Sequence, residues 1–165
     1  MKLGIVGHGF VGSAVSHGFT KELDKFIVDP KYFSENTISD LVKFNPDATF
    51  VAVPTPQLES GECNTEILES VLKDLNQIKN HLVIIKSTVP AYKLQAFQEQ
   101  CIDLRIVYNP EFLTERTAYD DLCNSKFHVI GIDDSETEAK KLLLDYHNSM
   151  WPDSKSIFVT NKLIQ

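Results

Sequence analysis

The feature that most constrains this chain is Gly7-His8-Gly9-Phe10-Val11-Gly12, set between the apolar run Leu3-Gly4-Ile5-Val6 and the helix-compatible Ser13-Ala14-Val15. G-x-G-x-x-G between a strand and a helix is the context that gives this pattern its meaning. Gly7 permits a tight turn, Gly9 lets a pyrophosphate reach the backbone without meeting a side chain, and Gly12 allows close helix packing. Free backbone N–H groups and the positive end of the helix dipole then face the anion, with Phe10 and Val11 in the same loop. A second element supports dinucleotide binding. Lys25-Phe26-Ile27-Val28 is an apolar strand ending in Asp29, 22 residues after Gly7. A carboxylate there accepts hydrogen bonds from a ribose 2′-OH and repels a 2′-phosphate, which favours NAD over NADP. Asp29 before Pro30 is also an ordinary way to start a turn, and Lys31 weakens the discrimination against a 2′-phosphate.

Further along, strands and helices alternate. Apolar residues at Val11, Ala14, Val15 and Phe19 form a helical stripe, and a short helix is expected near 37–44. Asn45-Pro46-Asp47 is a turn, because Pro46 biases Asn45 away from helical geometry. Residues 49–53 are a third strand, stopped by Pro54-Thr55-Pro56, where two N–H donors are missing. After a polar loop, Asn64 can cap a helix carrying Ile67, Val71, Leu75 and Ile78. Strands are expected at 82–85, 105–108, 127–131 and 156–159. Helices are expected at 91–100 and after a Ser135-x-x-Glu138 capping box, with Ala139, Leu142, Leu143 and Tyr146 on its apolar face. This alternation predicts an α/β fold, a doubly wound parallel sheet of the Rossmann type, as a single domain over 1–165.

Composition narrows the partners. A net charge of −7 argues against nucleic acid and anionic membrane surfaces. No apolar stretch approaches the roughly 18 residues of a membrane span. Cys63, Cys101 and Cys123 are an odd number without C-x-x-C spacing, which suits a reducing cytoplasm and offers no metal site.

Ligands of such sheets bind beyond the carboxyl ends of the strands. Four unusual segments fall there: the glycine loop, Pro54-Thr55-Pro56, Lys86-Ser87-Thr88-Val89-Pro90 and the run from Asn109-Pro110-Glu111-Phe112-Leu113 to Glu115. Each has a plain alternative. Pro-Thr-Pro can be a strand terminator, Ser87 or Thr88 a helix N-cap, Glu111 a first-turn acid, and Glu115 a residue one turn further or a solvated acid.

The last three segments resemble the cofactor domain of the UDP-glucose 6-dehydrogenase and nucleotide-sugar dehydrogenase family, from Lys2 to about Asn161. The resemblance implies oxidation of a sugar C6 alcohol to the carboxylate with two NAD, through a thioester on a cysteine. It implies that Thr88 positions water, that Glu111 serves the acid–base and hydrolysis steps, and that Phe112, Leu113 and Glu115 line the boundary between a UDP-sugar, UDP-glucose foremost, and the cofactor. Thr55, Pro56, Thr88 and Glu115 join Gly7, Gly9, Phe10, Val11, Gly12 and Asp29 as cofactor contacts. Arg116 departs from the family's usual Gly, and the 29–47 segment is short.

None of the three cysteines stands in the family's nucleophile motif. The connecting helix and substrate domain that carry it are expected to be absent from this chain, which would then bind NAD without efficient turnover and need that domain or a homo-oligomer partner. Two other readings stay open: the cofactor domain of a 3-hydroxyacid or 6-phosphogluconate type dehydrogenase, and a stand-alone NAD-binding regulatory module.

Overall fold

The computed structural model describes residues 2–18, 23–125, 127–132 and 155–159, with the single positions 137, 140, 141 and 144. Its elements follow in the order β1 (Lys2–Val6), α1 (Phe10–Gly18), β2 (Asp24–Val28), α2 (Ile38–Phe44), β3 (Ala48–Val51), α3 (Glu66–Leu75), β4 (His81–Ile85), α4 (Ala91–Gln100), β5 (Leu104–Tyr108), α5 (Ala118–Cys123), β6 (Phe127–Gly131) and β7 (Lys155–Val159). The helix expected after the Ser135 capping box lies outside the described residues, save for the four single positions.

The strands form one sheet in the order β2-β1-β3-β4-β5-β6-β7. Neighbours are parallel from β2 to β5 and again between β6 and β7. Strands β5 and β6 meet antiparallel at one register pair, Tyr108 opposite Gly131. The predicted doubly wound α/β sheet is therefore present, with one antiparallel junction that strand–helix alternation does not forecast. The short 29–47 segment has room for α2 but contributes no strand of its own, so β2 is the sheet's edge.

Both faces of the sheet are covered, which is why β1, β3 and β4 read as near-continuous apolar runs. Leu3, Ile5, Phe50, Leu82, Ile84 and Val107 point to one face, with Ala14 and Val15 of α1 and Ala118 and Leu122 of α5. Val6, Val51, Val83, Ile85 and Leu104 point to the other, against Leu41 of α2, Leu68 and Leu72 of α3 and Phe97 of α4. The chain leaves β1 toward β2 and returns on its other side as β3. That reversal opens a crevice at the carboxyl ends of β1 and β3.

Candidate dinucleotide site at the strand rim

The glycine loop occupies that crevice. Gly7 has φ +88°, and a Cβ there would sit 2.5 Å from the Ala52 carbonyl oxygen, so a side chain is excluded twice over. Its N–H donates to Val28 O at 2.9 Å, tying the turn to β2. A Cβ on Gly12 would strike the Gly7 carbonyl, so this glycine lets α1 close onto the loop itself. Gly9 is different. A Cβ on Gly9 would meet nothing within 4 Å, so its lack of a side chain serves no contact within the protein. Ser13 N donates to Gly9 O at 2.9 Å and closes the first helical turn. N–H groups of that turn have no partner within the helix and suit an anion. The loop thus fits a pyrophosphate laid against Gly9. Phe10 is 43% exposed beside it, and Val11 is half-buried.

Asp29 follows β2 directly and is 9% exposed. Its Oδ2 accepts from His8 N at 2.6 Å, and its Oδ1 accepts from the N–H of Lys31 at 2.8 Å and of Tyr32 at 3.1 Å. Burial pushes the carboxyl up, but the three backbone donors outweigh it and hold it below the usual carboxylate range. The turn-starting reading of Asp29 therefore holds, and the same carboxylate also anchors the glycine loop through His8 N. His8, which the motif alone gives no role, packs edge-on against Phe33 at 5.1 Å. Burial lowers its imidazole, the neighbouring His17 lowers it further, and Asp29 pulls it back up.

At the ends of β3 and β4 the two proline-bounded segments are clasped together. Thr55 Oγ1 donates to Thr88 O at 2.9 Å, and Ser87 Oγ donates to Val53 O at 2.8 Å. Neither Ser87 nor Thr88 caps α4, because Pro90 holds the N-cap position without a side-chain bond. Thr88 is exposed, and its hydroxyl makes no hydrogen bond among the described residues. Pro56 is exposed at the mouth of the 56–64 loop, which closes through Asn64 N to Pro56 O at 2.8 Å. Asn64 Oδ1 then accepts from Glu66 N at 2.9 Å at the start of α3. The Cys63 thiol faces Thr88 O at 3.5 Å and Thr55 O at 3.7 Å, so a free thiol stands on the rim although no sequence motif points to it.

The 109–117 segment is irregular rather than helical, which removes the first-turn alternative for Glu111. Glu111 Oε2 instead accepts from Leu113 N at 2.6 Å. Phe112 is 66% exposed, while Leu113 folds back onto the core. Glu115 does not lie a helical turn beyond Glu111. It sits in the turn before α5 and lines a cleft of about 470 Å³ with Phe10, Ser13, His17, Arg116 and Tyr119. The structure therefore brings Phe10 and Glu115 to one cleft. It places Thr55 beside Thr88 at the ends of β3 and β4, and Glu111 beyond β5. Lys86 and Asn109, which open two of the singled-out segments but receive no role of their own from the sequence, are joined by a 3.0 Å bond from Nζ to Oδ1. A lysine directly after five fully buried strand residues was the available signal.

Comparison with known proteins follows the same outline. The model of the UDP-glucose/GDP-mannose dehydrogenase family, NAD binding domain, matches residues 18–148. UDP-glucose 6-dehydrogenase of Campylobacter jejuni is 33% identical over 165 residues, covering 79% of this chain and 42% of the relative. The Rickettsia bellii enzyme of the same name is 29% identical over 175 residues, covering 84% and 40%. A solved UDP-glucose dehydrogenase from Pyrobaculum islandicum superposes with a TM-score of 0.83 at 22% identity, covering 99% of this chain and 47% of that one. The chain thus spans less than half the length of these relatives.

Proposed function

This chain belongs to the UDP-glucose/GDP-mannose dehydrogenase family as its NAD-binding domain, and from that premise we propose that it supplies the cofactor half of a UDP-sugar 6-dehydrogenase acting on UDP-glucose. The observation that carries the reading is the shared rim: an open Gly9, the Thr55–Thr88 clasp and the Glu111 segment all lie at the carboxyl ends of the parallel strands.

Each residue has a task that its surroundings support. Gly7, Gly9 and Gly12 hold the pyrophosphate against the backbone, and Asp29 takes the adenosine ribose. Phe10, Val11, Thr55, Pro56 and Glu115 border the rest of the cofactor. NAD supplies the hydride acceptor when bound. The Thr88 hydroxyl is free to hold a water, and Glu111 Oε1 makes no hydrogen bond among the described residues, so it can take a proton from that water or from the sugar alcohol. Phe112 and Leu113 border the sugar. A thiol nucleophile would come from a further domain or a partner copy. The free cysteines suit a reducing, cytoplasmic setting. No helix among the described residues is long and apolar enough to cross a membrane.

The Asp29→Ala chain tests the cofactor assignment. Both cofactors should weaken as the glycine loop loses its anchor on Asp29, and NAD affinity, measured by calorimetry, should fall roughly tenfold further than NADP affinity, because the 2′-OH of NAD also loses a charged acceptor. Equal losses for both cofactors would refute the ribose role.

A further inference from the structure

Lys86 follows β4 and is 4% exposed. Its backbone N–H extends the ladder to Val51 O at 2.8 Å, and its side chain crosses to the end of β5, where Nζ donates to Asn109 Oδ1 at 3.0 Å. An ammonium carries three donors. This one uses one of them among the described residues. Burial pushes Lys86 down to about 8, and the Glu111 carboxylate pulls it back up. The other titratable groups at this rim are Tyr108, which ends β5, and Cys63. A buried amine with so few partners costs stability compared with an apolar side chain of the same length. Packing therefore does not account for it, and a strained titratable group beside a site points to a role there.

The segment above Lys86 is held at two further points. Asn109 Nδ2 donates to Val129 O at 2.8 Å, and Glu111 Oε2 accepts from Leu113 N at 2.6 Å. Lys86 is thus the one buried cation among the described residues beneath the loop that carries the proposed proton-handling carboxylate.

We propose that Lys86 is the positioning residue of the Glu111 segment: its buried ammonium, anchored on Asn109, sets where the Glu111 carboxylate stands over the ends of β4 and β5. The proposal rests on the role assigned to Glu111 above. Lys86 acts through Asn109 and Glu111 and belongs to neither the glycine loop nor the Thr55–Thr88 clasp.

The test is an NMR pH titration of the chain carrying 13C-labelled lysine side chains, comparing wild type with Glu111→Gln and using Lys86→Met to assign the signal. Lys86 should titrate near 8, apart from the surface lysines. Glu111→Gln should lower it further, since an anionic neighbour is gone. Lys86→Met should also speed amide exchange at Leu113, whose N–H reports the Glu111 carboxylate directly. A Lys86 signal that ignores Glu111→Gln overturns the proposal even if Lys86→Met fails to fold. NAD calorimetry on the wild-type chain keeps the two readings separate. Coupling without NAD binding would support the pairing and sink the cofactor reading, and NAD binding without coupling would do the reverse.

Discussion

Gly9 and Gly12 are equal letters in the motif but are held for different reasons. Gly12 is required by the protein, because a Cβ would strike the Gly7 carbonyl, whereas Gly9 is open. Gly9→Ala should therefore leave chemical-denaturant stability within about 0.5 kcal/mol of wild type. It should weaken NAD by roughly tenfold or more, since the methyl occupies the pyrophosphate's approach. Unchanged NAD affinity would move the pyrophosphate elsewhere. Lys86 makes a second residue-scale prediction. The unfolded lysine keeps its proton to 10.5 and the folded one to about 8. Between those values the unfolded chain binds more protons, so Lys86 makes stability rise with pH across that window. The full difference is on the order of 3 kcal/mol. Stability of Lys86→Met measured from pH 7 to 10 should lack this rise, and an identical pH curve would contradict the burial of the charge. Asp29 also makes stability rise with pH, in an acidic window and for the opposite reason, because the fold favours its charged form. Its contribution is present above 3.8 and is lost as pH falls through its lower folded value. The glycines and Asp29 were legible because a turn, a close approach and a strand-end acid leave local marks in sequence. Lys86, Asn109 and Cys63 were not, because their partners lie 23 and 25 residues away across other strands.

At the scale of elements, the strands and helices up to β5 follow from apolar runs and helical spacing. The antiparallel entry of β6 does not. It depends on the path of 109–125, where a six-residue α5 packs beside α1 instead of completing a crossover. The irregular Glu111–Glu115 stretch depends on the same path, which is why its helical alternative failed. Its far end is fixed by Asp121, whose Oδ2 accepts from Thr114 N at 2.8 Å and from Thr117 Oγ1 at 2.9 Å. These bonds hold the Asp121 carboxyl below the usual carboxylate range. Asp121→Ala should raise amide exchange at Thr114 by roughly tenfold, the loss of one charge-assisted bond, while β1, β3 and β4 exchange as before. Equal loosening across the sheet would mean that the segment and the core open as one unit.

For the molecule as a whole, the fold and family are those of an NAD-binding domain, and the chain spans less than half of each similar dehydrogenase. In the proposed division of labour, the first strand–helix reversal holds the cofactor while Thr88 and Glu111, which follow β4 and β5, serve the chemistry; the Cys63 thiol stands beside Thr88. A cysteine held by backbone carbonyls in a loop lacks the setting that activates a nucleophile. The most direct measurement is calorimetric titration of the 165-residue chain with NAD, followed by addition of UDP-glucose with NADH absorbance monitored. Saturable NAD binding with no NADH formed is the expected result. NADH formation would show that Cys63 or a thiol-free route completes the chemistry within this chain, and the absence of NAD binding would refute the assignment of the glycine loop as a dinucleotide site.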